Sequence, residues 1–425
     1  MTNKLTEQEE LEYMKKWLEL NEQMVKQNFT WATLEEENDL HQYMSYNVLE
    51  MKRKQWDDIQ IATSKIGNIV NKTYKILLQD PQSRAFLGLP IEALEAIKVP
   101  SDYFSYFSRL DLIVNDGQIK VIEINCDTPT GYLETSVANE IITKDKGLKS
   151  PNALEFNIFR AWRMIEKELG LSDSNQKIYF TSYGENEEDK QTVLFNMEYS
   201  GVNGEYIAVE DILIDESGLY DQDGNQIDYL YRLYPLEFLP TDVDDNGKEI
   251  GKLFLNHIAS GAVKIINPPS AFMMQTKAVM GVIWGMYIED RTDLFTEEEL
   301  NDINKYFLPT YFEEKWLKGK KHVRKPIFGR EGGGVNIFDE NNQVIEKDAE
   351  DWYSEWDNIY QEYVEMPDYT VDTWAGEYTG KLLVGSFLIG GEPSGLFLRV
   401  GEKITGNLSM FCAVAVDNEE NGDVE

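Results

Sequence analysis

Cysteine and histidine are scarce in this chain, which has two and three of them among its 425 residues. Cys126 and Cys412 are too few for a disulfide framework, so we expect a reducing compartment such as the cytoplasm. His41, His257 and His322 follow no spacing that is typical of a metal or nucleophilic site. The sequence therefore disfavours Ser–His or Cys–His catalysis and gives no support for a zinc centre.

Positive charge is also in short supply. The chain has 40 Lys and Arg residues against 76 Asp and Glu residues, which gives a formal net charge of −36. Nucleic acid and anionic membranes repel such a protein, so we expect neither as a partner. No apolar run is long enough to span a bilayer, and the N-terminal segment MTNKLTEQEELEYMKKW lacks the apolar core of a signal peptide. The acidic surface tolerates a cationic ligand, such as a metal ion or a polyamine.

The hydrophobic fraction of 42% is ordinary for a globular α/β protein, and the length allows two or three domains. Apolar residues at helical spacing predict helices over the first 100 or so residues, including Met44, Val48 and Met51. A mixed block follows, with KIYFTSY as a strand and EEDKQTVLFNMEYSG as a helix. A third block has strands joined by Gly-rich turns. We therefore predict four units, at residues 1–100, 101–265, 266–415 and, as a disordered acidic tail, 416–425.

Two strand-like segments, FSRLDLIVNDG and QIKVIEINCDTPTG, carry polar side chains at alternate positions around a tight turn. The polar set is Arg109, Asp111, Glu123 and Asn125. Residues 115–117, Asn-Asp-Gly, form a hairpin signal, and we expect a three-residue loop with the Gly in a left-handed bulge position. That register pairs Arg109 with Glu123 and sets Asp111 diagonal to Glu123. A two-residue loop would move one carboxylate to the opposite face.

Two interpretations of this polar face remain open at this point. Three oxygen ligands and one arginine on one face suit a Mg²⁺–phosphate site, because Mg²⁺ takes a few protein oxygens and completes its octahedron with water and phosphate. The alternative is an amphipathic hairpin whose polar face is only solvated.

A glycine-rich segment in the third block offers groups that bind phosphate. Lys325 lies in a predicted strand, HVRKPIF, and GREGGGV follows with Arg330, Gly332, Gly333 and Gly334. Consecutive glycines let a backbone close over phosphates and present N–H donors, while the two cations supply positive charge. A flexible hairpin turn is the alternative interpretation of the same glycines.

Two further segments carry candidate nucleotide ligands. Lys277 follows a Pro-Pro turn and lies near a predicted helix start, which makes it a second candidate phosphate lysine. In YQEYV, the backbone beside Gln361 and the side chain of Glu362 match an adenine edge, although an exposed strand rim has the same pattern. Neither a GxxxxGK[ST] loop nor a GxGxxG fingerprint occurs in the chain.

Seven ordered motifs carry a family resemblance: RLD…IEINCDTPTG, EED, YRLYPLEF, NPPS…TKAV, RKPIFGREGGGV, YQEYV and GLFLR…ITGNLS. Together they resemble the ATP-grasp synthetase domain of glutathionylspermidine synthases and trypanothione synthetases, from roughly residue 30 to residue 415. The resemblance implies an ATP-grasp-like fold of α/β class, with an N-terminal helical region and a pre-ATP-grasp substrate domain. It also implies an ATP- and Mg²⁺-dependent ligase that joins a carboxylate, such as a glutathione-like peptide, to an amine or polyamine through an acyl phosphate.

The resemblance implies roles for the residues of the hairpin. Asp111, Glu123 and Asn125 match the family's Mg²⁺ ligands. Arg109 matches the arginine that contacts the transferred phosphoryl group and the reacting carboxylate. In the family the metal ligands precede the phosphate lysines along the chain, and the same order holds here.

Other residues match the nucleotide side of the family's site. Lys277 and Lys325 match its nucleotide lysines, and Gln361 and Glu362 lie in the matching YQEYV segment. Arg330 and the glycines at 332–334 resemble the loop that closes on the γ-phosphate. Arg399 matches an arginine of the family that contacts either the substrate or a phosphate group.

The acceptor side of the site is matched by fewer residues. Thr130 matches a small hydroxyl residue near the acyl acceptor, and Glu187 and Glu188 match acidic residues that hold a polyamine. Val400 stands where an acidic residue is frequent, and Ala413-Val414 replaces a Pro-His pair. These departures affect the acceptor pocket more than the ATP site.

Two competing functions stay open on sequence grounds. One is a relative that binds nucleotide as a sensor or scaffold without ligation, and the other is a kinase-like phosphotransferase. The retained metal and lysine residues favour a ligase over the sensor. No cysteine precedes Cys126, so the amidase of bifunctional relatives is not expected. Cys126 itself is interpreted as a buried small residue behind the metal site rather than as a reactive thiol.

Overall fold

The computed structural model describes residues 6–36, 39–171, 175–330, 332–347, 353 and 356–417. The α-helices are α1 (Glu7–Val25), α2 (Arg53–Gln79), α3 (Pro81–Arg84), α4 (Asn139–Asp145), α5 (Leu154–Leu169), α6 (Glu187–Ser200), α7 (Ile250–Ser260), α8 (Pro269–Gln275), α9 (Ala278–Ile288) and α10 (Glu297–Tyr306). The strands are β1 (Thr33–Glu36), β2 (Asp39–Gln42), β3 (Met44–Lys52), β4 (Phe107–Asn115), β5 (Gln118–Asn125), β6 (Ile178–Ser182), β7 (Gly204–Ala208), β8 (Leu213–Ile214), β9 (Leu219–Tyr220), β10 (Tyr229–Arg232), β11 (Lys264–Ile266), β12 (Thr310–Tyr311), β13 (His322–Pro326), β14 (Asn336–Phe338), β15 (Val344–Lys347), β16 (Asn358–Glu362), β17 (Asp368–Thr373), β18 (Gly376–Ile389), β19 (Glu392–Gly401) and β20 (Met410–Asp417). A π-helical turn, Glu134–Ala138, precedes α4, and short 3-10 turns occupy Ala85–Leu87, Ile91–Ala93, Ala96–Lys98, Val209–Asp211, Leu239–Thr241 and Glu314–Leu317.

A seven-stranded sheet lies at the centre, in the order β3-β20-β19-β18-β4-β5, with β17 also paired to β18. Helices cover both faces of β18, and its successive side chains therefore enter different cores. On one face the Thr63 hydroxyl of α2 lies 2.7 Å from that of Ser386. On the other face, Phe387 packs in the same buried cluster as Trp162 of α5.

The periodicity of α2 shows why this helix is buried along one side. Its buried apolar residues recur at helical spacing: Ile59, Ile66, Ile69, Val70, Tyr74 and Leu77. Gly67 lies where the helix approaches β18 closely, and a Cβ there would lie 2.4 Å from a methyl carbon of Leu388. The apolar stripe predicted in this helix is therefore core.

Two smaller sheets flank the β4–β5 hairpin. The parallel sheet β11-β10-β6-β7 lies on one side, and the antiparallel sheet β12-β16-β13-β14-β15 lies on the other. Asn267, just after β11, accepts hydrogen bonds from the N–H groups of Tyr106 and Phe107 and donates to the carbonyl of Cys126. Lys325 of β13 donates to the carbonyl of Ile122. The hairpin is thus fixed against both neighbouring sheets.

The hairpin loop has two residues, so the predicted three-residue loop is wrong. Asn115 pairs with Gln118, and Asp116 and Gly117 between them have φ angles of 49° and 76°. Positive φ at both central residues is the requirement of a type I′ turn, which Asp-Gly meets readily.

A β-bulge nevertheless keeps both carboxylates on one face. The register shifts between Asp111 and the next residue, and Ile122 on the opposite strand is left without a partner. The shorter loop would turn the side chains of one strand to the opposite face, and the one extra residue of the bulge turns them back. Asp111 consequently lies directly opposite Glu123, and Arg109 lies opposite Asn125 rather than opposite Glu123.

The N-terminal region is less helical than predicted. It contains α1 and α2, but residues 33–52 hold three strands. Met44, Val48 and Met51 have helical spacing, yet they lie in β3 because parallel pairing with β20 fixes an extended backbone. The division into four units stays a proposal, and the central sheet draws strands from the first three of them.

Two further findings concern the end of the chain and the helices. Val416 and Asp417 end β20, and the rest of the predicted tail lies outside the described residues. Within the described ranges, no helix has both the length and the apolar character needed to cross a bilayer.

Candidate active site

A cavity of about 700 Å³ opens where the three large sheets meet. This volume is typical of small-molecule sites. In a chain with a net charge of −36, the described lining still contains a cluster of cations: Arg109, Lys277, Lys325, Arg330, Arg399 and Lys403. Six acidic side chains line the cavity as well, so its charge is close to balanced within a strongly acidic chain, and its cations are available to an anionic ligand.

Asp111 of β4 is held by two arginines at the floor of the cavity. The Nε of Arg109 donates to Oδ1 of Asp111 at 2.8 Å, and the Nη2 of Arg399 donates to Oδ2 at 2.9 Å. Both guanidinium groups also lie over the Phe397 ring, at 5.2 and 5.4 Å from its centroid. Burial acts to raise the pKa of Asp111, but the two arginines outweigh it and hold the pKa below its ordinary value.

Glu123 faces Asp111 from β5 and is paired with a lysine. The Nζ of Lys277, at the start of α9, lies 2.8 Å from Oε1 of Glu123. The same ammonium group donates to the carbonyl oxygen of Gly329 at 2.7 Å. Lys277 therefore joins the hairpin carboxylate to the first glycine of the Gly-rich loop.

Lys325 of β13 is a buried cation of the cavity. Its Nζ donates to Oε1 of Gln361 at 2.9 Å and to the carbonyl of Ile122 at 3.1 Å. The amide of Gln361 in turn donates to the hydroxyl of Thr310 at 3.0 Å. Burial lowers the pKa of Lys325 to about 8, so this ammonium group loses its proton at a lower pH than an ordinary lysine does.

The predicted metal set lies on one face of the hairpin. Asp111 and Glu123 are directly opposite each other, and Asn125 follows on the same face and also lines the cavity. Across the described residues, however, no group of three His, Cys, Asp or Glu side chains forms a metal cluster. The oxygen donors are two carboxylates and one amide, with both carboxylates paired to cations.

Residues 332–334 of the Gly-rich loop form a turn beside the cavity. Gly332 and Gly333 line the cavity and Gly334 does not. The N–H of Gly333 donates to the carbonyl of Arg330 at 2.8 Å, so this donor is used within the loop. The Arg330 side chain reaches across to Glu237, with Nε donating to Oε1 at 3.0 Å.

An apolar cluster forms a separate wall of the cavity. It consists of Ile113, Met366 and Leu383, with the partly buried Ile122 and Val364 packed against them. All five line the cavity beside Gln361 and Glu362 of β16. Such a wall suits a flat, apolar ring, while the adjacent strand supplies polar backbone groups.

The opposite end of the cavity is acidic and aromatic. Glu188 and Asp189, in the first turn of α6, line it, and Thr130 accepts a hydrogen bond from Nη1 of Arg109 through its carbonyl at 2.9 Å. Tyr183 lines the same end. Glu187, by contrast, is exposed, accepts a hydrogen bond from Gln191 and does not line the cavity.

Most of the predicted site residues thus come together, the exceptions being Gly334 and Glu187. Residues that the sequence interpretation missed also line the cavity: Tyr43, Thr128, Asp189, Gln275 and Phe397. Thr128 and Asp189 lie inside the motifs IEINCDTPTG and EED and were within reach of sequence reasoning. Tyr43 precedes β3, in a region interpreted as helix, and Gln275 lies inside an apolar run, so neither gave a local signal.

Cys126 is buried behind the hairpin, as predicted. Its Sγ donates to the carbonyl of Ala271 at 3.1 Å. Burial raises the pKa of this thiol well above its ordinary value, which makes it a poor nucleophile.

The chain matches a known protein family over almost its whole length. Residues 12–417 match the family model described as glutathionylspermidine synthase preATP-grasp. The chain belongs to this family. The resemblance predicted from the seven motifs is confirmed, and the protein is a ligase.

Individual relatives agree with the assignment. The chain is 24% identical over 406 residues to a Haemophilus influenzae protein named "Putative acid--amine ligase", covering 92% of this chain and 95% of that protein. A glutathione synthetase-like effector from Globodera pallida, solved in its apo form, superimposes with a TM-score of 0.58 at 12% identity. That alignment covers 94% of this chain and 97% of the effector. The predicted α/β, ATP-grasp-like fold is therefore confirmed.

The position of Arg109 depends on a missing side chain at Gly385, which pairs with Asp111. A Cβ at residue 385 would lie 2.9 Å from Cδ of Arg109 and 3.1 Å from the carbonyl oxygen of Phe397. Gly385→Ala should push Arg109 away from Asp111 and lower ligase turnover by about 100-fold, since small misplacements of positioning groups have effects of that order.

The matched control for this variant is Gly285→Ala in α9, where an added Cβ meets no atom within 4 Å. It should leave turnover unchanged. Thermal melting of both variants separates loss of turnover from loss of folding. Full turnover in a folded Gly385→Ala protein would contradict the role given to Arg109.

Proposed function

We propose that the protein is an ATP- and Mg²⁺-dependent carboxylate–amine ligase that forms an amide bond through an acyl phosphate. One observation carries the proposal: Asp111 and Glu123 lie opposite each other on one face, and cationic side chains surround them in a single cavity. Oxygen ligands beside clustered cations suit a metal–polyphosphate complex.

The donor set fits Mg²⁺. This ion is commonly bound through one or two carboxylates and completes its octahedral shell with water and phosphate oxygens. Asp111 and Glu123 would hold it, with Asn125 as a neutral third ligand. The ion would supply charge neutralisation between the β- and γ-phosphates. Without it, Arg109, Arg399 and Lys277 balance the two carboxylates.

The nucleotide would lie between β5 and the five-stranded sheet. Lys277, Lys325 and Arg330 are the cations available to its phosphates. The base would pack on the apolar wall of Ile113, Met366 and Leu383, with its polar edge towards residues 361–364. Gln361 keeps Lys325 oriented, because its amide oxygen accepts the lysine hydrogen bond.

The acid would bind beside Arg109, whose Nη2 donates to Oδ2 of Asp111 at 3.4 Å and has a second hydrogen to offer a substrate carboxylate. Phosphorylation converts the carboxylate oxygen into a leaving group that a neutral amine can displace. The amine nitrogen then bonds to the carbonyl carbon, inorganic phosphate departs, and the nitrogen loses a proton. Closure of the 330–335 loop would exclude water that otherwise hydrolyses the acyl phosphate.

The amine would approach from the acidic end of the cavity. Glu188 and Asp189 carry negative charge there, and Thr130 lies between this end and Arg109. This arrangement suits an amine or polyamine whose further ammonium groups bind carboxylates. Since Glu187 points outside the cavity, we assign the polyamine contact to Glu188 and to Asp189, which takes the place of Glu187.

We further propose that the protein is cytoplasmic, in keeping with its two free buried cysteines, and that neither nucleic acid nor a membrane is its partner.

A phosphate-release assay with candidate acids, with and without amines, tests this proposal. Amine-dependent formation of ADP and an amide product is expected. Stoichiometric phosphorylation of the acid without amine would instead identify a kinase-like enzyme, and nucleotide binding without turnover would identify a sensor.

Glu123→Gln should lower turnover in this assay by at least about 100-fold, because the variant loses one anionic metal ligand. The fold should persist, since the Glu123 side chain is 27% exposed. Glu205→Gln is the matched control, as it also removes a strand glutamate paired with a lysine, at 2.6 Å from Lys177, away from the cavity. Near-normal turnover of Glu123→Gln would remove Glu123 from the metal site.

Nucleotide binding should also take up protons through Lys325. The free protein has a Lys325 pKa of about 8, and phosphates beside it favour the charged form. Affinity for MgATP should therefore fall as pH rises above about 8, by up to tenfold per unit. Calorimetry at pH 8 in buffers of different ionisation enthalpy measures the proton uptake, and Lys325→Met should abolish it. Equal uptake in both proteins would contradict this role.

A further inference from the structure

Gln275 is the last residue of α8 and lines the cavity two residues before Lys277. Its side-chain oxygen accepts two backbone hydrogen bonds, from the N–H of Cys126 at 2.8 Å and from the N–H of Asp127 at 3.0 Å. These two donors directly follow Asn125, the end of the metal-ligand strand. Gln275 therefore lies against the point where the hairpin ends.

The two accepted bonds fix which way the amide points. A backbone N–H requires an acceptor, so the oxygen of Gln275 must face Cys126 and Asp127, and the NH₂ group must face away from them. Among the described residues that NH₂ group has no hydrogen-bond partner, and it belongs to a side chain that lines the cavity. The structure thus presents a preoriented, neutral donor to the ligand space.

The carboxylates near the end of the hairpin have partners of their own, and no hydrogen bond joins either of them to this NH₂ group in the described part of the chain. The carboxylate of Asp127 accepts from Nη1 of Arg232 at 3.1 Å and from the N–H of Leu236 at 3.0 Å. Glu123 is paired with Lys277. An oxyanion bound between Lys277 and the hairpin would bring the acceptor that the amide lacks.

We propose that Gln275 is a ligand-contacting residue whose NH₂ group donates a hydrogen bond to an oxygen of the transferred phosphoryl group. The inference rests on the proposed function, in which that phosphoryl group passes from nucleotide to acid beside the hairpin. A fixed neutral donor stabilises charge on these oxygens without reorganising, and it cannot be neutralised by Asp111 or Glu123 as a further lysine would be.

Two variants isolate the donor. Gln275→Glu keeps an oxygen for the two backbone N–H groups and loses the NH₂ group, but adds a negative charge. Gln275→Met has similar length and no charge, and it loses both the donor and the acceptor. The donor is the only property that both variants lack. Calorimetric dissociation constants for MgATP and MgADP, with melting temperatures, are measured for both variants and the parent protein.

Both variants should bind MgATP more weakly by about 10- to 100-fold, the range for one hydrogen bond to a charged group. Gln275→Met should keep its MgADP affinity within about twofold, because MgADP lacks the transferred group. Gln275→Glu should melt close to the parent protein, since the backbone contacts persist.

Three results would overturn the inference. If Gln275→Met binds MgATP as tightly as the parent protein does, Gln275 makes no hydrogen bond to the transferred phosphoryl group. Equal loss of MgATP and MgADP affinity in that variant makes Gln275 a structural support for the hairpin end. An absence of MgATP binding to the parent protein overturns the proposed function itself, and the inference falls with it.

Discussion

The buried carboxylate of Asp111, held between Arg109 and Arg399, is the interaction on which the site depends. Its side chain is only 2% exposed, so its charge is stable only because both guanidinium groups contact it. Removing one partner of such a buried pair generally costs about 3–5 kcal/mol. Phe397 lies under both arginines and ties them to β19. The central sheet therefore supports a charged group that the core could not otherwise contain.

The rest of the cavity follows the same principle of balanced charge. Glu123 is paired with Lys277, and Lys325 is hydrogen-bonded to the amide of Gln361. A metal ion and a polyphosphate would exchange these internal pairs for external ones, because the metal ion would take the carboxylates and the phosphates would take the cations. This balance explains how a chain of net charge −36 can accept a highly anionic ligand. It also explains why the carboxylates lie among cations rather than in an open acidic cluster.

The sequence predicted the hairpin, most of the strands of the third block and a set of site residues of which nearly all line the cavity, because alternation and motif order are local properties. It missed what long-range pairing decides. The bulge at Ile122 is invisible in the alternation, and it alone reconciles a two-residue loop with two carboxylates on one face. The apolar residues from Met44 to Met51 have helical spacing, but they form a strand because they pair with β20. Gln275 is recognisable only once its oxygen is seen to contact the end of β5.

A crystal structure with Mg²⁺ and a non-hydrolysable ATP analogue tests the central claim most directly. The account predicts a metal ion with oxygens of Asp111 and Glu123 at about 2.0–2.1 Å and with phosphate oxygens completing its shell. Lys277 should leave Glu123 and contact the phosphates. A bound nucleotide whose metal ion touches neither carboxylate, with the Lys277–Glu123 pair intact, would contradict the account.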